Sequence, residues 1–246
     1  PISLYETLWR GNMPEVDQLP LEIIPDYFSA YLRTYIERDV RLVLEVDDWQ
    51  QFGRFVQLTS ALSSQEINLS QLGREIGITP QTAKRWIASL KATYQWFDIP
   101  AYHGNSIKRI SSKPKGYFSD VGLACHLQMI SSHNALGGHP SLGALFETNV
   151  YAEIRKMMSS TNVKANIYHW RIHGGSEIDL LLERDNTLYP IEIKSKSQPS
   201  RKDTRGLHSF RKHYPKAKIA PGLVLAPTHE KVQLSEFDYS IPWDIQ

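Results

Sequence analysis

Residues 177–195 read EIDLLLERDNTLYPIEIKS and contain two strand-like runs, 177–183 (EIDLLLE) and 188–195 (LYPIEIKS). Successive side chains of a strand point to opposite faces. In the first run Glu177, Asp179, Leu181 and Glu183 share one face, and Ile178, Leu180 and Leu182 share the other. In the second run Tyr189, Ile191 and Ile193 lie opposite Pro190, Glu192 and Lys194. Glu192 and Lys194 are therefore same-face neighbours, roughly 6–7 Å apart along the strand. If the two strands pair, Asp179 stands near Glu192. Facing carboxylates repel unless a cation lies between them, and hard oxygen ligands with room for waters suit Mg²⁺ or Mn²⁺. A lysine two residues on is suited to orient or deprotonate an attacking water, or to hold a phosphate. The plain alternative is an exposed Glu192–Lys194 ion pair on an edge strand.

Outward from this stretch, a helix is expected from about Leu142 to Met158, with the apolar stripe Leu142, Phe146, Val150, Ile154 and Met157. A strand is expected at 166–172, a helix at 204–213 and a last strand at 222–226. Helix, three strands, helix, strand is an α/β layout around a small mixed sheet, and the whole chain reads as α+β. His169 and His173 fall on one side of their strand and read as structural or DNA-facing. Trp86, Trp96 and Trp170 read as core.

Residues 52–90 read as three helices. In NLSQLGREIGITPQTAKRWIASL, Ser70 is a candidate cap for a helix that buries Leu69, Leu72 and Ile76. Gly77 permits a tight turn, and Thr79 caps the next helix with Pro80 in its first turn. That helix buries Ala83, Ile87 and Leu90 and exposes Gln81, Thr82, Lys84 and Arg85. This is the helix-turn-helix arrangement, with short donors and two cations at the end that enters a major groove; a plain helical hairpin is the alternative. YQWFDIPAY and SIKRISS, either side of His103-Gly104-Asn105, then suit a β-hairpin. With Lys108, Arg109, Lys113 and Lys115 crowding it, the hairpin fits a wing along phosphates. After it comes a short strand and a helix capped by Ser119 or Asp120.

The first 48 residues read as a connecting stretch punctuated by Pro14, Pro20 and Pro25, then a helix with Asp26 as candidate cap. Residues 132–141 are loop-like and form the expected boundary. The division is 1–48, a winged helix-turn-helix at 49–135, and the mixed-sheet domain at 136–246.

The 28 Lys and Arg against 26 Asp and Glu sum to +2, which hides an uneven distribution. Residues 1–48 carry net −6, residues 49–140 net +5 and residues 141–246 net +3. Within 194–218, Lys194, Lys196, Arg201, Lys202, Arg205, Arg211, Lys212, Lys216 and Lys218 face the single acid Asp203. Such a block suits phosphate backbones, or is a solvated face. One cysteine, Cys125, excludes an internal disulfide and leans toward a reducing compartment. There is no apolar run of the ~18 residues a spanning helix needs, so no membrane association is expected.

The pattern Asp179, then Glu192-Ile193-Lys194 on the next strand, preceded by an acid on a helix, resembles the PD-(D/E)XK nuclease superfamily, which includes Holliday-junction resolvases. The resemblance implies that Asp179 and Glu192 bind a metal, that the carbonyl between Glu192 and Lys194 adds a ligand, and that Lys194 serves the nucleophilic water. It maps the helix acid onto Glu147 in GALFETNVYAEI, with Glu153 a second candidate. Ile178 stands where the namesake motif has Pro. LWRGNMPEV, YLRTYIERDV, YFSDVGLACHL, GALFETNVYAEI, HWRIHGGSEIDLLLE and LYPIEIKS together resemble the C-terminal domain, of unknown function, of many prokaryotic AAA-type ATPases. No GxxxxGK followed by Ser or Thr occurs, so ATP is not expected to bind this chain. Trp9-Arg10-Gly11 would be the tail of a missing ATPase half.

The expectation is thus a cytoplasmic DNA-binding protein with a Mg²⁺- or Mn²⁺-dependent nuclease-like module. Its catalytic residues are Asp179, Glu192, Lys194 and Glu147, and the metal is held by Asp179, Glu192 and Glu147. DNA contacts are expected from Gln81, Thr82, Lys84, Arg85, Lys108, Arg109, Lys196, Arg201, Lys202 and Arg205. The alternatives are a catalytically inactive DNA-binding or protein-interaction effector of an ATPase, or a toxin–antitoxin-type regulator.

Overall fold

The computed structural model describes residues 3–43, 48–104, 112–172 and 175–244, and of residues 35–37 and 43 the backbone alone. The chain divides into two units, Pro1–Asp98 with Gly116–Asn149, and Ile99–Lys115 with Val150–Gln246.

The first unit opens with α1 (Leu4–Arg10), α2 (Ile24–Tyr31), a π-helical stretch at Leu32–Ile36 and α3 (Glu37–Val43). The start of the chain is not a connecting tail. Ser3 caps α1 by accepting from the Glu6 N–H. Trp9 Nε1 donates to the Ile130 carbonyl at 2.9 Å, and Arg10 donates to the Val16 and Leu19 carbonyls. Gly11 has φ 77°, and a β-carbon there would run into the Asp120 carboxylate, which accepts the Asn12 N–H at 2.7 Å. A seven-residue helix is marginal alone, and these long-range bonds fix it. Asp26 lies inside the first turn of α2, and Ile23 takes the cap position.

Next come α4 (Trp49–Ala61), β1 (Gln65–Glu66), α5 (Leu69–Ile76), α6 (Pro80–Ala92), β2 (Trp96–Ile99) and β3 (Lys115–Phe118). Asn68, not Ser70, caps α5 by accepting from the Gln71 N–H. Gly77 is left-handed at φ 81°, and its N–H and that of Ile78 both donate to the Gly73 carbonyl. Thr79 accepts from the Thr82 N–H at 3.0 Å, with Pro80 at the first helical position as expected. Trp86 stands edge-on to Phe52 and Phe55, at 5.2 and 5.1 Å between ring centres. The small sheet has the order β1-β3-β2. β3 starts at Lys115, later than the expected SIKRISS strand, most of which, with Asn105, Lys108 and Arg109, lies outside the described residues.

Asp120 is the cap of α7 (Val121–Leu127). The expected loop 132–141 contains a further helix, α8 (His133–Leu136), capped by Ser132 and anchored by the buried Leu136. Then α9 (Leu142–Ser160) runs through the division between the units. Met157, expected on its apolar stripe, is exposed.

The second unit is built on a mixed sheet. β4 (Asn166–Arg171), β5 (Glu177–Arg184) and β6 (Thr187–Ile193) form an antiparallel meander. A 3₁₀ turn at Arg201–Thr204 and α10 (Arg205–His213) cross over, and short β7 (Lys218–Ile219) pairs with β6. β8 (Gly222–Ala226) returns parallel to β6. The expected layout ended here; instead β9 (Val232–Gln233) and β10 (Asp238–Pro242) follow, β10 parallel to β8. Its inward residues are Asp238 and Ser240, both buried, so its alternation is inverted, with the polar side facing in. Arg211 on α10 neutralises Asp238 at 2.7 Å.

Asp185 and Asn186 turn the β5–β6 hairpin at φ 49° and 58°, as a tight mirror-image turn requires. The core gathers Tyr102, Trp170, Leu181, Leu207, Phe210 and Val224. Phe210 lies 5.1 Å from Trp170 and 6.1 Å from Tyr102 by ring centres, and full burial of such a side chain contributes on the order of 2–3 kcal/mol. Trp86, Trp96, Trp170 and Cys125 are all buried. The architecture is α+β, a mixed sheet flanked by helices. No helix among the described residues is long and apolar enough to cross a membrane.

Candidate functional site

The Leu180–Ile191 pair is the last in the register of β5 on β6, and just beyond it the Asp179 and Glu192 carboxyls come within hydrogen-bonding reach of each other. Both carboxyls are buried, at 4% and 3% exposure. β6 lies between β5 and β8, so the pair is not on an edge strand. The Ile193 N–H donates to Asp179 Oδ2 at 2.8 Å. Lys194 Nζ lies 2.8 Å from Glu192 Oε2 and 3.6 Å from Asp179 Oδ2. A second ammonium, Lys115 Nζ, stands 3.6 Å from Asp179 Oδ1. The sequence reading brought together Asp179, Glu192 and Lys194 but missed Lys115.

Burial alone would raise both carboxyls. At Asp179 it is outweighed by the Lys115 and Lys194 ammoniums, the Ile193 N–H and a hydrogen bond from Glu192, so this carboxyl is held below the usual range. At Glu192 burial, followed by the Asp179 charge, prevails over Lys194 and pushes the carboxyl well above it. Asp179 therefore ionises first, and the protonated Glu192 donates to it.

That shared hydrogen bond tests the site for a cation. Two acids close enough to share a proton present hard oxygens of the kind Mg²⁺ or Mn²⁺ takes, with waters and a phosphate to complete the shell. The pair fits such an ion as a two-carboxylate site. Among the described residues no group of three or more His, Cys, Asp or Glu is placed to hold a metal. Glu147 belongs to the first unit, where its buried Oε1 accepts the Tyr117 hydroxyl at 2.7 Å. Glu153 is half exposed and pairs with Lys156 at 2.9 Å.

Gly206, in the first turn of α10, completes the site. A β-carbon there would overlap Glu192 Oε1 and the Glu177 carbonyl. The turn just before it carries the exposed Arg201, Lys202 and Arg205. Lys196 is committed to Asp203 at 2.7 Å, and Asp203 also accepts the Ser200 N–H. Arg211 is committed to Asp238, so part of the basic block is internal.

On α6 Gln81, Lys84 and Arg85 are exposed. Thr82 is half-buried, with its hydroxyl 2.9 Å from that of Thr79. His169 is buried, with its Nε2 3.2 Å from the Lys113 carbonyl. Burial lowers its pKa to about 4. His169 is therefore structural, and His173 lies outside the described residues.

Two family models match the chain, both described as domains of unknown function: DUF8612 over residues 2–134 and DUF4143 over residues 142–245. The chain is 26% identical over 244 residues to the uncharacterised protein Rv2008c of Mycobacterium tuberculosis and to the uncharacterised protein Mb2031c of Mycobacterium bovis. Each match covers 98% of this chain and 53% of the relative, so the chain spans about half the length of the curated relatives it matches.

Proposed function

The chain belongs to the DUF8612 family of domains of unknown function, and on that premise we propose that it is a DNA-binding protein whose second unit is a divalent-cation-dependent nuclease of the PD-(D/E)XK kind. The observation that carries this reading is the meeting of Asp179, Glu192 and Lys194 on adjoining central strands. The succession α9, β4, β5, β6, α10, β8, with an acid on β5 and an acid and a lysine at the end of β6, supports it. In the first unit, α4, β1, α5, α6, β2 and β3 follow the order of a winged helix, with Gln81, Lys84 and Arg85 exposed at the reading end of α6. Arg201, Lys202 and Arg205 would take phosphates. The proposed setting is the cytoplasm, beside an AAA-type ATPase.

Asp179 and Glu192 would hold Mg²⁺ or Mn²⁺, and the bound ion would stabilise charge on the phosphate and acidify a water. Asp179, held as the ionised partner and aligned by the Ile193 N–H, would be the first ligand. Glu192 would release its proton to solvent to serve as the second. Lys194 donates to the phosphate oxygens or orients the water between them. The test is cleavage of plasmid and branched DNA with Mg²⁺ or Mn²⁺. The wild type should cut and Asp179→Ala should not; activity that survives the substitution overturns the assignment.

A second reading, a catalytically inactive DNA-binding or protein-interaction module, is favoured by the two ammoniums that already bracket Asp179. Salt-sensitive DNA binding without cleavage would select it.

A further inference from the structure

The two ammoniums beside Asp179 arrive by different routes. Lys194 is two residues from Glu192, just past the end of β6. Lys115 comes from the start of β3, and its side chain is 11% exposed. The backbone before it is held in place. His169 Nε2 meets the Lys113 carbonyl at 3.2 Å, and Ser112 Oγ lies 2.6 Å from His103 Nε2. On its other side Gly116 lies where a β-carbon would run into the Trp96 indole. The backbone around Lys115 is thus fixed, so any departure of its ammonium from Asp179 is a rotation of the side chain. The two cations divide the carboxylate between them, Lys115 on Oδ1 and Lys194 on Oδ2. The Ile193 N–H also occupies Oδ2, which leaves Oδ1 as the oxygen that Lys115 neutralises.

We propose that Lys115 is a positioning residue that acts as a built-in counter-ion of Asp179, standing in for a divalent cation and yielding when one binds. The inference rests on the reading of Asp179 and Glu192 as an ion site, and it goes beyond that reading by giving the site a latch. With its ammonium in place two cations already face the one ionised carboxylate, and the site is closed to a further cation. An incoming ion meets a like charge beside its first ligand, and that repulsion must be relieved by withdrawal of the lysine.

The experiment is Mn²⁺ binding to the full chain, read by the loss of the free-ion electron paramagnetic resonance signal and by calorimetry. Lys115→Met should bind Mn²⁺ roughly ten-fold or more tightly than the wild type, because a like charge a few ångström from the ion is removed. Asp179→Asn should abolish binding in either background. Equal or weaker affinity in Lys115→Met, or no binding in either protein, overturns the proposal.

Removing a buried cation can also cost folding, so the wild type carries a second readout. Reductive methylation of lysines followed by mass spectrometry should find Lys115 protected without Mn²⁺ and labelled with it. Protection unchanged at saturating Mn²⁺ overturns the proposal by itself. The outcome is separable from that of the nuclease reading. A chain that cuts no DNA yet gains Mn²⁺ affinity on Lys115→Met keeps the latch and loses the activity. A chain that cuts DNA but shows no such gain keeps the activity and loses the latch.

Discussion

Gly206 and Glu192 touch across the start of α10 and the end of β6, with no room for even a methyl group between them. Gly206→Ala must therefore push Glu192 aside or lift α10 from the sheet, and overpacking of this kind costs about 1–3 kcal/mol. Gly53, inside α4, has nothing within 4 Å of where its β-carbon would stand. Gly53→Ala should stabilise by about 0.5–1 kcal/mol through helix propensity. Urea midpoints of the two variants should move in opposite directions, and a neutral Gly206→Ala would contradict the close approach.

Glu192 predicts a pH dependence of stability. Its carboxyl is raised in the folded chain by burial and by Asp179. Its stabilising contribution is thus fully present below the ordinary glutamate value of 4.5 and is lost as pH rises through the folded value. Glu192→Gln keeps the shape and cannot ionise. Its stability relative to wild type should climb with pH from about 4.5 up to the raised folded value and level off above it, read from denaturant midpoints. A constant offset would refute the raised value.

His169 predicts the opposite slope. Burial holds it neutral down to about 4, while the unfolded chain takes up its proton near 6.5. Stability from this group is present above 6.5 and is lost as pH falls toward 4. A separation of this size corresponds to about 3 kcal/mol. His169→Gln, which retains a donor for the Lys113 carbonyl, should flatten the acid side of the stability curve by about that amount.

The exposed cations of α6 predict a salt effect. Charge reversal of Lys84 and Arg85 together should weaken DNA binding, and the slope of log affinity against log salt should fall by about one for each phosphate that is no longer neutralised. Filter binding at several salt concentrations measures it. Unchanged affinity would remove α6 as the reading helix.

What could be read from the sequence was local. The alternation of 177–183 and 188–195 set Asp179 beside Glu192, and Gly77, Thr79 and Pro80 marked the turn between α5 and α6, because each feature is written within a few residues. The Asp185-Asn186 turn was equally local and went unread. Lys115 was not legible as a site residue, since it reaches Asp179 only through the fold. β10 was hidden because its inward residues are Asp238 and Ser240, made tolerable by Arg211 from another element. α1 was hidden because its hold comes from Ile130 and, through Asn12, from Asp120, both more than a hundred residues away.

The division of the chain, with 99–115 belonging to one unit and 116–149 to the other, bears on how the protein is made. At roughly 5–20 residues per second of translation, residues 99–115 leave the ribosome on the order of ten seconds before the last of the strands they join. The first unit, in turn, cannot close until Asn149 has emerged. The first segment of the second unit is written before the first unit is complete and must wait for the residues after Asn149, and no single scission releases either unit whole. A gene fused or split at the 135–141 joint would inherit residues 99–115 on the wrong side of the cut.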